Sequence, residues 1–234
     1  MRLYVLQLGI QASGSPVPGY LIQTDDGKNV LVDTGYEESY YTGEKGPDDR
    51  STEADWVVNR LAEIGLAPED IDYLVCTHFD VDHAGSHDRF PNAEFVVQRR
   101  LLDVARDGLP RFQGTREHWD RPETRYRVVD GDTEFLPGIE LIETSGHVPG
   151  HQSVLVRLPE TGPVLLAIDA MPMSFEGFTP ETRPTGRYDA DADGARKSTR
   201  KLVDLAEREG VTLTIYGHDP EKWKPLKKSP EHYE

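Results

Sequence analysis

The chain has 234 residues, of which 36% are hydrophobic, and a formal net charge of −16 at pH 7. That length fits one large domain, and the acidic balance argues against nucleic-acid or anionic-membrane partners because phosphate contacts need a basic face. No apolar run approaches the ~18 residues that span a bilayer, and a single cysteine without a signal-peptide pattern favours a reducing cytoplasm.

Alternating apolar residues near the N-terminus predict strands over residues 3–8, 20–24 and 29–33, with a hairpin turn between the last two. The polar stretch 37–50 is typical of a long loop, and a helix is expected over 52–64. Later strands are predicted over 71–76, 94–98, 125–129, 139–144, 152–158, 164–168 and 211–216, and helices over 99–106 and 191–208. Each half runs from strands to helix, which predicts a layered α/β sandwich.

The segment Thr77-His78-Phe79-Asp80-Val81-Asp82-His83 places two imidazoles and two carboxylates within six residues, directly after a predicted strand. Alternate residues of a strand point to opposite faces, so these side chains can converge only where the strand has ended. Borderline divalent metal ions prefer this mix of nitrogen and oxygen ligands. The alternative is a polar strand-to-helix turn in which an aspartate caps the helix.

Three later strands also lead into metal-type side chains: His147, Asp169 and His218. Open α/β sheets build their sites at the carboxyl ends of strands. One such histidine is usually an ordinary surface or core residue. All three positions together with the first motif predict one shared metal site.

As a set, these motifs resemble the metallo-β-lactamase superfamily and, within it, the N-acyl-homoserine lactonase group, along nearly the whole chain. The matching segments are Leu31-Val32-Asp33-Thr34-Gly35, residues 77–85, Gly146-His147-Val148-Pro149-Gly150-His151-Gln152-Ser153, Ile168-Asp169-Ala170 and Gly217-His218-Asp219. The resemblance implies an α/β fold, a four-layer αββα sandwich, formed as a single hydrolase domain over residues 1–234.

The resemblance also implies two divalent metal ions per chain, zinc by family. The first ion would take His78, Asp80 and His147. The second would take Asp82, His83 and His218, with Asp169 bridging both. Asp33 and His151 are expected to support these ligands without binding metal. His87, His118 and His232 have no motif context and are expected at the surface.

Two positions depart from the family pattern. Asp80 stands where the HxHxDH pattern has its second histidine; this harder ligand favours Mn or Fe over Zn, or it is too short and leaves the first ion weakly bound or absent. Pro172 stands where lactonases carry a tyrosine that steadies the carbonyl oxygen. We expect a tyrosine from the loop around Tyr36, Tyr40 and Tyr41 to replace it.

The expected reaction is the opening of a cyclic ester, such as an N-acyl-homoserine lactone in quorum quenching, by a metal-bridging hydroxide, with Asp82 as the general acid for the leaving oxygen. Alternatives are hydrolysis of another ester, a thioester or a phosphodiester on the same site, or a non-catalytic metal-binding domain. A small molecule is the expected partner, and a homodimer is compatible with the family. Loop aromatics such as Phe175 and Phe178 are candidates for an apolar substrate pocket.

Overall fold

The computed structural model describes residues 1–44, 46, 48–174 and 177–234, and it contains two β-sheets. The first sheet has six strands in chain order: β1 (Arg2–Ile10), β2 (Pro16–Gln23), β3 (Asn29–Val32), β4 (Tyr73–Val75), β5 (Glu94–Gln98) and β6 (Arg125–Val129). Strands β1 to β3 form an antiparallel meander, and β3 to β6 are parallel. The parallel strands need crossover connections, and helices occupy these.

The second sheet has five strands: β7 (Thr133–Leu136), β8 (Ile139–Glu143), β9 (Gln152–Leu158), β10 (Gly162–Ile168) and β11 (Leu213–Tyr216). Their order in the sheet is β11-β10-β9-β8-β7. Neighbouring strands are antiparallel from β7 to β10, and β10 pairs with β11 in parallel. The carboxyl ends of β10 and β11 therefore lie side by side.

The helices of the described residues are α1 (Glu38–Thr42), α2 (Val57–Glu63), α3 (Val81–Ala84), α4 (Arg99–Arg106), α5 (Arg116–Trp119), α6 (Ala192–Glu209) and α7 (Pro220–Trp223), with 3₁₀ turns such as Pro110–Thr115. Helix α6 begins after Asp191, whose side chain accepts hydrogen bonds from the first turn, and ends at Gly210 in the left-handed conformation. Across the described ranges, none of these helices has the length and hydropathy to cross a bilayer.

The alternation of side chains along each strand separates three apolar clusters. On β1, Leu3 and Val5 belong to the cluster between the sheets, whereas Leu6 and Leu8 belong to the cluster under α2 and α4. On β10, Leu165 joins the α6 side chains in the third cluster. Because a strand's two faces pack on different layers, the result is helix, sheet, sheet, helix. The predicted αββα sandwich is confirmed.

Most predicted elements are present, and three strands (94–98, 125–129 and 152–158) and the helix at 99–106 have the predicted bounds. The loop prediction for 37–50 is wrong at its start, where α1 forms. The helix predicted over 52–64 is interrupted, because Asp55 caps a 3₁₀ turn at Thr52 and Trp56 is extended before α2 begins. Strand β7 was not predicted. Phe175 lies outside the described residues.

Candidate metal centre

The side chains singled out in the sequence meet at one end of the two sheets, just beyond β3, β4, β8, β10 and β11. At two of these strand ends the chain takes a left-handed conformation without glycine: φ is 58° at Asp33 and 51° at Ile168. Such conformations cost about 1–3 kcal/mol each and cluster at functional sites. The backbone is therefore strained at Asp33 itself and at Ile168, the residue that precedes Asp169.

The first group of ligand-type atoms comes from His78, Asp80 and His147. Asp80 Oδ2 lies 3.4 Å from His78 Nε2 and 3.3 Å from His147 Nε2. Both histidines are buried, and the aspartate side chain is 14% exposed. We call these three residues the first cluster.

The second group comes from Asp82, His83 and His218. Asp82 lies between the two imidazoles, with Oδ1 3.9 Å from His83 Nε2 and Oδ2 3.8 Å from His218 Nε2. These three residues form the second cluster. Asp80 precedes α3 and has an extended backbone, whereas Asp82 and His83 lie within the helix.

Asp169 faces both clusters with different oxygens. Its Oδ2 lies 3.2 Å from His147 Nε2 and 3.8 Å from His78 Nε2. Its Oδ1 lies 3.1 Å from His218 Nε2 and 3.6 Å from His83 Nε2. One buried carboxylate thus joins the two groups, which is the arrangement that a bridging ligand requires.

Each histidine of the two clusters has a partner at Nδ1, the ring nitrogen opposite the Nε2 atom that faces Asp169. His83 Nδ1 donates to Asp33 Oδ2 at 2.8 Å, and His218 Nδ1 donates to the carbonyl of Pro16 at 2.9 Å. His78 Nδ1 donates at 3.0 Å to the hydroxyl of Thr77, which itself donates to Asp33. These contacts fix the rings so that Nε2 is the free nitrogen.

His147, the other histidine of the first cluster, has a carboxylate partner. His147 Nδ1 lies 3.5 Å from Asp189 Oδ1, and the same oxygen is 3.5 Å from Nη2 of the buried Arg183. Neither Asp189 nor Arg183 belongs to a motif, and the sequence analysis did not find them. Their segment, just before α6, offers no spacing signal that would have revealed them.

The residues present fit a pair of metal ions. Among the described residues, His78 Nε2, His83 Nε2 and Asp169 Oδ1 are buried atoms without a hydrogen-bond partner. A buried polar atom left unpaired costs about 1–3 kcal/mol, so such a concentration calls for a ligand. Imidazole nitrogens and carboxylate oxygens are the donors that divalent ions take.

The charges at the site favour the binding of a cation. Burial lowers the pKa of His83, but the charges of Asp169, Asp82 and Asp33 outweigh it and raise the pKa to about 10. Burial raises the pKa of Asp169, yet the nearby histidines, His218 foremost, hold it well below its usual range. Ionised carboxylates at this density need positive charge beside them.

His151 lies beside the clusters and contributes no atom to either. Its Nδ1 is 2.8 Å from the Thr144 hydroxyl, and its Nε2 accepts the backbone N–H of Asp169 at 3.3 Å. Burial, with the neighbouring histidines, holds its pKa well below the usual value. The neutral ring therefore fixes the backbone that carries Asp169.

Arg111 is the main feature of the site that the sequence did not reveal. Its Nε donates to Asp80 Oδ1 at 2.6 Å, and its Nη2 donates to Asp80 Oδ2. The Nη2 atom also lies 2.8 Å from His147 Nε2. Burial raises the pKa of the Asp80 carboxyl, but the hydrogen bonds from Arg111 and the nearby rings of His147 and His78 outweigh it and hold the pKa well below its usual range.

The expected surface position of His87 is wrong. Its ring is fully buried, with Nδ1 2.9 Å from the Thr34 hydroxyl and its edge against Phe95. The 3₁₀ turn after α3 directs the His87 ring into the protein interior. The residues next to His87 in the sequence do not indicate this tertiary placement. His118 and His232 are partly exposed and paired with Asp88 and Glu234.

Of the three loop tyrosines, Tyr36 approaches the site. Gln11 Nε2 lies 2.9 Å from its hydroxyl and 3.4 Å from Asp82 Oδ2. Tyr41 instead donates to the carbonyl of Leu8, and Tyr40 is paired with Asp49. Of the three hydroxyl groups, that of Tyr36 is the one that shares a hydrogen-bond partner, Gln11, with the second cluster.

Comparison with known proteins agrees with this geometry. A model of the metallo-beta-lactamase superfamily matches residues 13–218. An N-acyl homoserine lactonase of a Bacillus species is 35% identical, with 93% of this chain and 86% of that protein covered. The N-acyl homoserine lactonase AttM of Azorhizobium caulinodans is 34% identical, with 100% and 99% covered. A solved N-acyl homoserine lactone hydrolase, with N-hexanoyl-L-homoserine bound at its catalytic metal centre, has a TM-score of 0.84 at 30% identity and 99% and 98% coverage.

Proposed function

The chain belongs to the metallo-beta-lactamase superfamily, whose model covers most of its length, and from that premise we propose that it is a metal-dependent lactonase acting on N-acyl homoserine lactones. The observation that carries the proposal is the position of Asp169. Its two oxygens each face one cluster, at 3.1–3.8 Å from four histidine nitrogens. A carboxylate in this position would be shared between the two ions of a two-metal hydrolase.

The residues that would hold the ions are the two clusters together with Asp169. Zinc suits the four imidazoles, whereas the three carboxylates also suit manganese or iron. When bound, a pair of divalent ions lowers the pKa of water and polarises a carbonyl group. Asp33, Thr77 and His151 hold the ligands in place by the hydrogen bonds described above.

Asp82 is the proposed proton carrier. Its carboxylate belongs to the second cluster, is 18% exposed, and accepts from Gln11 Nε2 at 3.4 Å. Water adds to the lactone carbonyl carbon, the ring C–O bond breaks, and Asp82 passes the proton from that water to the leaving oxygen. The product is the open hydroxy acid. We propose that the Tyr36 hydroxyl, which is joined to Asp82 through Gln11, donates to the substrate carbonyl.

We propose that the acyl chain lies against exposed apolar side chains beside the clusters. Val81, between Asp80 and Asp82, is 50% exposed, and Tyr188 is 60% exposed. The carbonyl of Tyr188 accepts a hydrogen bond from Arg111, so this residue lies at the rim of the first cluster. Exposed apolar side chains next to a polar site suit a ligand with an apolar portion.

The test is hydrolysis by the metal-loaded chain of a panel containing an acyl homoserine lactone, a thioester and a phosphodiester. His218→Ala and Asp82→Asn should each lower lactone kcat/KM by at least about a hundredfold, since each removes part of the metal and proton-transfer machinery. His232→Ala, a partly exposed histidine outside both clusters, is the matched control. Faster turnover of the thioester or phosphodiester, or full activity of His218→Ala, would contradict the proposal.

A further inference from the structure

Arg111 binds the same atoms of the first cluster that a metal ion would need. Its guanidinium donates to both oxygens of Asp80, and Nη2 lies 2.8 Å from His147 Nε2. An imidazole nitrogen has one lone pair. A His147 nitrogen that accepts a hydrogen bond from Nη2 therefore cannot coordinate a metal ion at the same time.

The arginine is held in this position by the structure around it. It lies in the 3₁₀ turn Pro110–Thr115, which is anchored by the fully buried Phe112 and by the Thr115 hydroxyl, which donates at 2.7 Å to the carbonyl of Phe79. Phe79 directly precedes Asp80, so this turn is attached to the backbone of the first cluster itself. The carbonyl of Tyr188 accepts a hydrogen bond from Nη1.

Charge explains why a cation belongs here. The family pattern has a neutral histidine at position 80, whereas this chain has a carboxylate, which adds one negative charge to a site that already contains Asp82 and Asp169. Arg111 adds one positive charge in bidentate contact with that same carboxylate, the geometry in which arginine binds carboxylates best. The positive charge of Arg111 therefore compensates the negative charge of Asp80.

Among the described residues, the second cluster has no equivalent competitor. In the part of the chain that the structure describes, no arginine or lysine donates a hydrogen bond to Asp82, His83 or His218. His83 Nε2 and Asp169 Oδ1, which face this cluster, are among the buried atoms without a partner. The two halves of the site thus differ in what a metal ion must displace.

We propose that Arg111 is an internal cation that competes with a metal ion for Asp80 and His147. The second cluster fills first. A metal ion enters the first cluster only when the guanidinium leaves, so the two sites differ in affinity although they share Asp169. This inference rests on the proposed metal-dependent function, but it concerns metal binding alone and not the substrate.

The experiment is a titration of the metal-stripped full-length chain with Zn²⁺, and separately with Mn²⁺, against a competing chromophoric chelator. The wild-type chain should show two binding steps whose dissociation constants differ by at least about tenfold. Arg111→Gln should tighten the weaker step by about tenfold or more and leave the stronger step unchanged. Arg111→Lys keeps the charge without the bidentate fork and should give a smaller change.

Arg60→Gln is the matched control, because Arg60 is another partly buried arginine paired with an aspartate, Asp55, that belongs to neither cluster. Thermal unfolding of each metal-free variant reports whether it folds, and the wild-type titration tests the inference even if Arg111→Gln does not. Two equal steps in the wild-type chain, or the same two steps in wild type and a folded Arg111→Gln, would overturn it. Two unequal steps without lactone turnover would count against the proposed substrate and support the competition.

Discussion

Asp33 orients His83 from a strained strand end: its Oδ2 accepts from His83 Nδ1 at 2.8 Å while its own φ is 58°. The same oxygen accepts from the Thr77 hydroxyl at 2.6 Å, and Thr77 in turn accepts from His78. One carboxylate thus sets the ring orientation of a histidine in each cluster. The backbone N–H of Thr77 donates to Asp33 Oδ1 at 3.0 Å, so both oxygens are in use.

Asp33→Asn should weaken binding of both metal ions by about 10–100-fold. The amide has one acceptor oxygen, so its NH₂ group must face either the Thr77 N–H or the Thr77 hydroxyl and His83. Asparagine tolerates the left-handed backbone, and the fold should be retained. Chelator competition measures the loss. Asp33→Ala should in addition lower the melting temperature of the metal-free chain, and equal melting temperatures for the two variants would contradict the strain at this position.

Gly217→Ala should displace Asp169. A Cβ at Gly217 would lie 2.7 Å from the carbonyl oxygen of Ile168 and 2.8 Å from Asp169 Oδ1, closer than non-bonded atoms approach. Overpacking of this kind costs about 1–3 kcal/mol of unfolding free energy, and metal affinity should fall with it. Gly186→Ala is the control, because a Cβ there meets nothing within 4 Å. Unchanged unfolding and metal affinity in Gly217→Ala would show that Asp169 is not held at this distance.

His87→Phe should make the chain more resistant to acid. Burial lowers the pKa of His87 to about 3, whereas in the unfolded chain it is about 6.5. Between these values the unfolded state binds a proton that the folded state does not, so stability falls as the pH falls through this window. The phenylalanine removes that loss, which amounts to about 2 kcal/mol at pH 5.

The measurement for His87 is the free energy of unfolding of the metal-stripped chain in urea at pH 7 and pH 5. The decrease on acidification should be smaller in His87→Phe than in wild type. His232→Phe, at a partly exposed position, is the control for replacing a histidine by an aromatic ring. An equal decrease in wild type and His87→Phe would mean that His87 is protonated in the folded chain.

Tyr188→Ala should impair long-chain substrates more than short-chain ones. The exposed ring contributes apolar contact at the rim, while the backbone carbonyl that holds Arg111 is unaffected by the substitution. Each buried methylene is worth about 0.8 kcal/mol, so we expect KM for a decanoyl lactone to rise roughly tenfold and KM for a butanoyl lactone to change little. Equal changes for both substrates would place the acyl chain elsewhere.

Asp80→His should shift the metal preference of the first cluster towards zinc, because an imidazole nitrogen replaces a carboxylate oxygen. The ratio of Zn to Mn retained after equilibration with both ions measures this preference. The fold should be retained, since Asp80 lies outside the sheets and just before α3. The same ratio in wild type and variant would show that residue 80 does not bind the metal.

The layers of the fold and the meeting point of the site could be predicted because both depend on local patterns. Because successive side chains of a strand point to opposite faces, Leu3 and Val5 lie on one face of β1 and Leu6 lies on the other. Metal-type residues directly after apolar strands were expected together because strands in a sheet end at common edges. His147, Asp169 and His218 come together as that reasoning expects.

The partners of these residues could not be predicted. Arg111 and Asp189 lie 31 and 42 positions from the side chains they contact, Asp80 and His147, in segments without periodicity or motif. An arginine in such a segment is ordinarily a solvated surface residue. Its inward position depends on the 3₁₀ turn packing through Phe112, a tertiary contact that no short sequence window contains.

The carboxylate at position 80 is held from outside the two sheets, whereas His78, His83 and His218 are oriented by residues at strand ends. Its partner, Arg111, belongs to a separate surface turn. We therefore expect that a change at these two positions alone would alter the chemistry of the first cluster without altering any strand pairing. Such a two-residue step would be a short evolutionary route to a different metal preference on one scaffold.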